Sequence, residues 1–382
     1  MMRTITLLTG SRGEYGYIRP ILRVIERDAE LDYALIVTNL HLLSDFGFSV
    51  SEIERDGFKI SDRLYMALDG YTPASMSKSL GVCLMSITDA LVRLRPDVLL
   101  LAGDRGEQLM AAIAGAHMNI PVAHIQAGEL SGNVDGMTRH AMTRFAHLHF
   151  AASAEAAERL RRMGEQPFRI YLTGAPQLDG LVNGEHAKPE EVAERFRLDL
   201  KQPIVLLVQH PVTEEYASTA AQIQETLEAV VGLGLQTVTI FPNNDAGNTQ
   251  IRKLVERYHR PFLRIERNVS RELFAGLMRV ASVMVGNSSS GLIEAPCFKL
   301  PAVNIGTRQR GRQRGNNVID VPSDRREIQA AIERALSPEF RRQLEANCEN
   351  PYLGDGKVAE RIVQILRDLP ITEELLQKQI AY

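Results

Sequence analysis

Three serines between two glycines form a motif that could bind an anion. The motif, GNSSSG at Gly286–Gly291, follows the apolar run SVMV and precedes a helical pattern that starts near Ser290. Free backbone N–H groups and the positive end of a helix favour a bound phosphate, and serine hydroxyls add donors. The motif lacks the Gly-Lys-Ser/Thr ending of a P-loop. It therefore predicts a phosphate site, with serine N-capping as the simpler alternative.

Carboxylates near the ends of apolar runs could transfer protons. Asp104 follows the run DVLLLAG directly, and Asp135 ends the segment HIQAGELSGNVD. Proton removal from carbon needs a carboxylate close to the C–H bond and cations near the departing group. Arg105 puts a cation beside Asp104, although adjacent Asp and Arg residues can also form a purely structural ion pair. Arg139 follows Asp135 by four residues, so the two could share a helix face.

Further polar side chains lie in other loops. Arg12, in the turn GSRGEYG, is interpreted as an anion ligand rather than a surface charge. His210 in QHPVT and His124 in HIQAG are ambiguous, because a histidine at a strand end is often a satisfied core group. Glu294, in the helix after the serines, could accept hydrogen bonds from two hydroxyl groups of a ribose. GSRGEYG does not match the dinucleotide fingerprint GxGxxG, which disfavours a nicotinamide cofactor.

Composition and charge exclude several classes of protein. The chain has 382 residues and a net charge of −3 at pH 7, which argues against nucleic acid as its main partner. Its three cysteines show no CxxC spacing, so neither a disulfide framework nor a zinc site is predicted. The carboxylates form no ligand cluster, and no metal is expected. No apolar stretch reaches the roughly 20 residues that span a bilayer, so we expect a cytoplasmic protein without membrane contact.

The elements that must position these residues alternate between apolar strands and amphipathic helices. Strands are predicted in the first half at Thr4–Thr9, Ala34–Thr38, Val98–Ala102, Pro121–Ile125, His147–Ala151 and Ile170–Thr173. Helices between them include Ser77–Arg95, Gly106–Met118 and Ala154–Met163. Nearly continuous apolar strands are typical of a sheet buried on both faces. The alternation therefore predicts a parallel sheet with helices on both sides.

A polar break at Leu181–Glu191 separates this pattern from a second one. Its predicted strands are Pro203–Val208, Gln236–Phe241, Phe262–Ile265, Val283–Gly286 and Ala302–Ile305, and a last helix is predicted at Lys357–Leu369. We expect two doubly wound α/β domains, at residues 1–180 and 186–355, and a C-terminal helix within 356–382. In such sheets ligands bind beyond the carboxyl ends of the strands. The polar and glycine-rich segments occupy these positions, which predicts a shared cleft.

These segments, in this order, resemble the hydrolysing UDP-N-acetylglucosamine 2-epimerases. The similarity covers nearly the whole chain, through SRGEYG, LHLLSDFG, GDR, HIQAGE, DGMTRHA, AHLHF, QHPVT, FPNNDAG, GNSSSG and GTRQRGR. That family makes N-acetylmannosamine or related sugars for sialic-acid-type nonulosonates. The resemblance implies a GT-B fold of two Rossmann-like domains facing a central cleft, with the last helix packing back on the first domain. It also implies a homo-oligomer, either dimer or tetramer.

The resemblance implies a role for residues from both domains. Those that would hold UDP are Arg12, Gly16, Arg105, His210, Asn243, Val269, Ser288, Ser289, Glu294 and Arg308. The acid and base positions would be Asp104, Asp135 and Gln126, with Arg105 and His210 beside the reacting bonds. Many members carry Glu in the place of Gln126, and an amide cannot take a proton at useful pH. Either the two aspartates suffice or another group, such as Glu129, serves instead.

The expected reaction is elimination followed by hydration. A carboxylate removes the C2 proton of UDP-N-acetylglucosamine while UDP leaves C1, and water adds to the resulting glycal to give N-acetylmannosamine. No cofactor is required. A different substrate, UDP-2,4-diacetamido-2,4,6-trideoxyglucose, would fit the same chemistry, as in legionaminic acid synthesis. A non-hydrolysing 2-epimerase, a glycosyltransferase of the same fold and a UDP-sugar sensor without turnover are further readings that the sequence leaves open.

Overall fold

The computed structural model describes residues 2–69, 71–352 and 354–381. Met1, Gly70, Leu353 and Tyr382, which fall in the predicted domain ranges, lie outside the described residues. The described chain forms two parallel sheets. The strands of the first are β1 (Arg3–Thr9), β2 (Leu31–Thr38), β3 (Ile60–Leu64), β4 (Val98–Ala102), β5 (Val122–Ile125), β6 (Leu148–Ala151) and β7 (Ile170–Leu172). Those of the second are β8 (Ile204–Val208), β9 (Gln236–Ile240), β10 (Leu263–Glu266), β11 (Val283–Gly286), β12 (Ala302–Ile305) and β13 (Val318–Val321).

Helices connect the strands and cover both faces of each sheet. The first eight are α1 (Arg12–Ile25), α2 (Val50–Arg55), α3 (Pro73–Leu94), α4 (Gly106–His117), α5 (Val134–Phe145), α6 (Ala154–Arg162), α7 (Gln177–Val182) and α8 (Pro189–Phe196). The others, within the described ranges, are α9 (Thr219–Leu233), α10 (Asn248–Val255), α11 (Arg271–Val280), α12 (Ser290–Ile293), α13 (Arg325–Leu336), α14 (Pro338–Ala346), α15 (Val358–Asp368) and α16 (Glu373–Leu376).

The strand order places the predicted motifs at the two points where the winding reverses. The orders are β3-β2-β1-β4-β5-β6-β7 and β10-β9-β8-β11-β12-β13. Loops leave in opposite directions after β1 and β4, and again after β8 and β11, which opens a crevice at each site. GSRGEYG and GDRGE follow the first pair of strands, and QHPVT and GNSSSG follow the second pair. This topology confirms the predicted class of two doubly wound α/β domains.

Neighbouring residues of the central strands pack into separate cores on opposite faces of the sheet. In β4, Leu100 packs with α1 and α15 on one face, whereas Leu99 and Leu101 pack with α3 and α4 on the other. All three side chains are fully buried. Because side chains alternate across a strand, burial on both faces explains why these strands are apolar at every position.

The predicted boundaries differ from the structure where capping or polar edge residues decide them. Strands β3 (ISDRL) and β13 (VIDV) were not predicted, because each lies at a sheet edge and carries charged residues. Helix α3 begins at Pro73 rather than Ser77, since Thr72 and Ser75 form a reciprocal capping box before it. The helix after the serines is a single turn, α12, followed by a 3₁₀ turn at Ala295–Phe298.

The last long helix returns to the first sheet. Ile362, Val363 and Leu366 of α15 belong to the core that α1 shares with β1 and β4. The Asp179 carboxylate accepts the N–H groups of Val358 at 3.1 Å and Ala359 at 2.7 Å, which fixes the start of the helix. Across the residues that the structure covers, no helix combines the length and the apolar character that crossing a membrane requires.

Candidate active site

A cavity of about 220 Å³ lies between the two sheets at their reversal points. The first domain contributes Ser11, Arg12, Glu14, Tyr17, Gly103, Asp104, Arg105, Asp135 and Gln177 to its walls. The second contributes Val208, His210, Asn243, Val269, Arg271, Ser288, Ser289, Ser290, Glu294 and Arg308. Most of the residues that the sequence singled out therefore line one cavity. Gly16, Gln126 and Glu129 do not line it.

Asp104 is held as an ionised carboxylate. Its Oδ2 forms an ion pair with Arg139, lies 3.6 Å from Nη2 of Arg312 and accepts a 2.9 Å hydrogen bond from the Ser131 hydroxyl. Burial raises the pKa of Asp104, but the arginines and Ser131 outweigh burial and lower it to about 2. This aspartate therefore carries a negative charge at neutral pH and has little affinity for a proton.

Asp135 has the opposite electrostatic environment. It lies in the first turn of α5, where its Oδ2 accepts a 2.9 Å hydrogen bond from Asn133 Nδ2. Burial and the negative charges of Asp104 and Asp245 raise its pKa to about 7, against the opposing effect of Arg308. Two neighbouring carboxylates with pKa values shifted in opposite directions are typical of acid and base pairs in enzymes. Asp135 is thus the one that can take up and release a proton near neutral pH.

Asp104 and Arg105 are not paired with each other. Arg105 reaches the second domain, where Nη1 lies 3.2 Å from Oδ1 of Asp245 and Nη2 donates to Oδ1 of Asn244 at 2.9 Å. Arg139 likewise does not pair with Asp135 on its own helix. It extends instead to the loop after β4, where it contacts Asp104. Both arginines therefore contact distant segments, and Arg105 also has Nε 3.2 Å from Oε1 of the nearby Glu107.

Gln126 and Glu129 lie behind the cavity wall. Gln126 has a φ of 64° and is buried, with Nε2 3.4 Å from Oε1 of Gln177. Glu129 is also buried and accepts hydrogen bonds from the Ser153 hydroxyl at 3.2 Å and the Tyr352 hydroxyl at 3.3 Å. Both groups are engaged inside the protein. That Glu129 replaces the family glutamate stays a prediction, in which its carboxylate would have to leave these contacts to reach the cavity.

His210 presents a neutral imidazole to the cavity. Its backbone N–H donates to Oδ1 of Asn287 at 2.7 Å, and its carbonyl accepts from Nδ2 of the same residue at 2.9 Å. Its Nδ1 lies 3.1 Å from the backbone nitrogen of Asn243, an arrangement in which Nδ1 accepts and Nε2 carries the hydrogen. Burial, followed by the charges of Arg308 and Arg12, lowers the pKa of His210 well below its usual range. His210 is therefore a donor through Nε2.

The serine run starts where two strands approach closely. Gly286 has a φ of 124°, and a Cβ at this position would lie 2.1 Å from the carbonyl oxygen of Val208. Only glycine tolerates both conditions. The turn that follows brings Ser288, Ser289 and Ser290 to the cavity. The first glycine of the motif is thus required by the fold, and the half-buried serines supply its hydroxyl groups.

The remaining predicted ligands come from facing loops. Arg12 donates through Nη1 to the carbonyl oxygen of Val269 at 3.3 Å, a contact between the domains. Glu294 ends α12, and its Oε1 pairs with Nη1 of Arg271 at 2.5 Å. Gly16 lies outside the cavity wall, but a Cβ there would be 3.4 Å from that same Nη1. Gly16 therefore lies next to Arg271 and does not line the cavity itself.

Several cavity residues were not identified from the sequence, among them Arg271, Tyr17 and Glu14. Arg271 starts α11 and joins Glu294 to the Gln177 carbonyl, to which its Nη2 donates at 2.8 Å. Burial and the charge of Asp104 raise the pKa of Tyr17 to about 12, so its hydroxyl stays protonated. Burial and Glu107 raise the pKa of Glu14 well above its usual range. No local motif marks Arg271, whereas Glu14 and Tyr17 lie in or beside the SRGEYG segment that was already noted.

The site thus combines a cationic and hydroxyl-rich side with a carboxylate side. Arg12, Arg308, neutral His210 and the serines can stabilise a phosphorylated leaving group. Asp104 and Asp135 supply one fixed charge and one exchangeable proton. Within the described ranges, no group of three or more His, Cys, Asp and Glu side chains is arranged to hold a metal ion.

Comparisons with known proteins agree with this geometry. Residues 23–367 match the family described as UDP-N-acetylglucosamine 2-epimerase. The chain is 38% identical over 384 residues, covering 100% of both chains, to the UDP-N,N'-diacetylbacillosamine 2-epimerase (hydrolyzing) of Legionella pneumophila. It is 32% identical over 336 residues, covering 88% of each, to a UDP-N-acetylglucosamine 2-epimerase of Neisseria meningitidis.

A solved structure shows the same fold. The UDP-GlcNAc 2-epimerase from Neisseria meningitidis bound to UDP-GlcNAc superposes with a TM-score of 0.79 at 20% identity, covering 96% of this chain and 99% of the other. At this identity the likeness supports the two-domain GT-B architecture alone. Together with the sequence match, it confirms the predicted fold and resemblance. The chain belongs to the UDP-N-acetylglucosamine 2-epimerase family of enzymes.

Proposed function

We propose that this protein is a hydrolysing 2-epimerase, which converts a UDP-2-acetamido sugar and water into UDP and the free 2-epimeric sugar. The observation that carries the proposal is the pair Asp104 and Asp135, with opposite pKa shifts in one cavity. The opposite side of that cavity holds groups suited to a diphosphate. Family membership and the named activity of the Legionella relative support the same reaction.

In the first step, Asp135 acts as the base. A pKa near 7 lets its carboxylate take the C2 proton at neutral pH. The C–H electron pair forms a C1=C2 bond as the C1–O bond breaks, and UDP leaves with that bond's electrons. Asp104, which stays ionised, stabilises the positive charge that develops at C1. The product of this step is a glycal.

In the second step, water adds to the glycal. Its hydroxyl group bonds to C1, and a solvent-derived proton bonds to C2 on the face opposite to the one that lost a proton. Asp135 releases the proton that it took in the first step to solvent. The configuration at C2 is thereby inverted. Asp104 is the ionised carboxylate available to orient this water. The proposal needs neither Gln126 nor Glu129 for proton transfer, which agrees with their contacts outside the cavity.

Both domains provide the leaving-group interactions in this proposal, Arg12 from the first and Arg308, His210 and the serines from the second. Arg308 and Arg12 balance the charge of the diphosphate, while His210 donates a hydrogen bond through Nε2. Ser288 and Ser289 add donors. The remaining predicted ligands are Glu294 for the ribose hydroxyls, with Oε1 steadied by Arg271, and Asn243 and Val269 on the facing loops.

Two substrates fit the proposed reaction. UDP-N-acetylglucosamine would yield N-acetylmannosamine, as the sequence resemblance implies. The second substrate is UDP-2,4-diacetamido-2,4,6-trideoxyglucose. It is favoured because the Legionella relative, 38% identical over the full length of both chains, is named for that diacetamido sugar. Both serve nonulosonate synthesis. A coupled assay for free UDP tests the shared proposal, because a non-hydrolysing epimerase would leave all UDP attached to the sugar.

The proposal also covers the domain boundaries, the location in the cell and the assembly of the protein. We place the domain boundaries at residues 1–180 and 186–355, with 356–382 as the C-terminal segment, and the packing of α15 on α1 supports this division. We also expect a cytoplasmic homo-oligomer, either dimer or tetramer. Light scattering of the purified protein tests the assembly, and a monomer at micromolar concentration would contradict it.

A further inference from the structure

A second pocket, of about 90 Å³, adjoins the carboxylate side of the main cavity. Arg105 and Asp135 line both pockets. The serines of the GNSSSG turn that line the main cavity do not line the second pocket. The second pocket therefore meets the main cavity at Asp135 and Arg105, away from the GNSSSG turn. Its volume is less than half that of the main cavity, which suits a substituent of the sugar and not a second nucleotide sugar.

The polar side chains of this pocket are bonded to one another. Nδ2 of Asn39 donates to Oε1 of Glu107 at 2.8 Å, and Oδ1 of Asn39 accepts from Nδ2 of Asn244 at 2.6 Å. The chain of bonds continues from Asn244 to Arg105. This chain of hydrogen bonds joins the first domain to the second. A hydroxyl group that entered the pocket would have to compete with these existing bonds.

The hydroxyl of Ser79 is also engaged. It donates to the carbonyl oxygen of Ser75 at 2.8 Å and accepts the backbone N–H of Leu68 at 2.9 Å. These bonds hold the segment before α3 against the first turns of that helix. Ser79 therefore shapes the pocket wall but has no free donor for a ligand.

Most of the remaining wall is apolar and is formed by Met66, Ala67, Leu68, Tyr71, Met76, Leu80 and Val134. Ser75, Thr138 and Asp245 also line it, but the Thr138 hydroxyl donates to the Val134 carbonyl at 3.1 Å and Asp245 is paired with Arg105. Leu80 packs directly over the start of α4, where a Cβ on Gly106 would lie 2.5 Å from its Cδ2. Burial of a methyl group is favourable in such a setting, whereas burial of a hydroxyl group without a hydrogen-bond partner is unfavourable.

We infer that this pocket receives the C4–C6 edge of the sugar, and that its apolar wall selects the C6 methyl and the acetyl methyl of an acylated C4 amine over free hydroxyls at both positions. The inference rests on the proposed function, which puts C2 at Asp135 and C1 toward the leaving-group ligands. C4 lies opposite C1 in a pyranose ring, so it points to the side where this pocket opens. The enzyme then prefers the 2,4-diacetamido-6-deoxy substrate to UDP-N-acetylglucosamine. Apolar pockets discriminate by about 10- to 100-fold for differences of this size.

The preference is measured as the ratio of the kcat/KM values for the two UDP-sugars. Because both values are measured on the same enzyme sample, a variant's loss of active enzyme does not change this ratio. The wild type is expected to favour the diacetamido substrate by at least about tenfold. M76Q and Val134→Thr introduce polar groups of similar size into the wall, and each should move the ratio toward unity by several-fold. M85Q makes the same change as M76Q on an exposed part of α3, where Met85 is 66% exposed, and should leave the ratio unchanged.

The outcomes separate this inference from the proposed function. Release of UDP from both sugars with a wild-type preference for UDP-N-acetylglucosamine would overturn the pocket assignment alone. So would a ratio unchanged in both pocket variants. If neither sugar released UDP, this result would contradict both the proposed function and the inference. The supporting result has two parts. The wild type prefers the diacetamido sugar, and M76Q and Val134→Thr reduce this preference whereas M85Q does not.

Discussion

Nη2 of Arg308, in the loop after β12, lies 3.5 Å from Oδ2 of Asp135, at the start of α5. This contact connects the leaving-group side of the cavity to the carboxylate that can exchange a proton. Arg308 lowers the pKa of Asp135 against the larger effect of burial. When a diphosphate competes for Arg308, Asp135 should become more basic. Substrate binding would then strengthen the base in the same step that positions the leaving group.

Removal of Arg308 should therefore change both rate and pH dependence. R308M is expected to lower kcat/KM by about 10²-fold or more, because a transition-state cation is lost. It should also move the acidic limb of the pH profile to higher pH, since the pKa of Asp135 rises without the nearby charge. R310M is the control, because Arg310 is exposed and lies outside the cavity wall. A loss of rate with an unmoved acidic limb would contradict the coupling.

The acidic limb of the wild-type profile should report Asp135. As a base it must be unprotonated, so kcat/KM should fall about tenfold per unit as pH decreases below roughly 7. A profile that stays flat from pH 8 to pH 5 would assign the base to a group of lower pKa. The measurement is the initial rate of UDP release across this range in a buffer of constant ionic strength.

The same aspartate should make the fold less stable as pH rises. Its folded pKa is raised above the ordinary value of 3.8, so the native state keeps a proton that the unfolded state has lost. Stability attributable to Asp135 therefore falls between about pH 4 and pH 7 and stays low above that. Asp135→Asn should raise Tm relative to wild type at pH 8 more than at pH 4. An equal change in Tm at the two values would contradict the raised pKa.

Asp104 should be essential for turnover but not for nucleotide binding. Asp104→Asn keeps the shape of the side chain and removes the charge, so kcat should fall by about 10²- to 10⁴-fold. UDP affinity, measured by calorimetry, should change little because Asp104 is not one of the leaving-group ligands. Asp89→Asn, on the exposed face of α3, is the matched control. Unchanged turnover in Asp104→Asn would remove this residue from the mechanism.

Gly286 should be required for folding. Its φ of 124° and the 2.1 Å approach to the Val208 carbonyl leave no room for a methyl group. G286A should lose roughly 1–3 kcal/mol or more of stability, visible as a lower Tm in thermal unfolding. G81A adds the same methyl in α3, where nothing lies within 4 Å, and should be neutral or slightly stabilising. Similar Tm values for the two variants would contradict the argument.

Local patterns in the sequence were sufficient to predict the strand-end loops and the cavity they form. Apolar runs identify buried strands, and glycine-rich segments after them identify the binding edge, so Asp104, His210 and the serines were found. The pKa values could not be predicted, because they depend on Arg139 and Arg312, which approach Asp104 from distant segments. The positions of Gln126 and Glu129 likewise depend on contacts with residues far along the chain.

The mechanism is tested most directly by the fate of the C2 hydrogen. The protein is incubated with each UDP-sugar in heavy water, and the free sugar is examined by proton NMR and mass spectrometry. We predict one deuterium at C2 of the 2-epimeric product, together with one equivalent of free UDP. A released 2-epimer that retains its original C2 hydrogen would contradict the elimination and hydration proposed for Asp104 and Asp135.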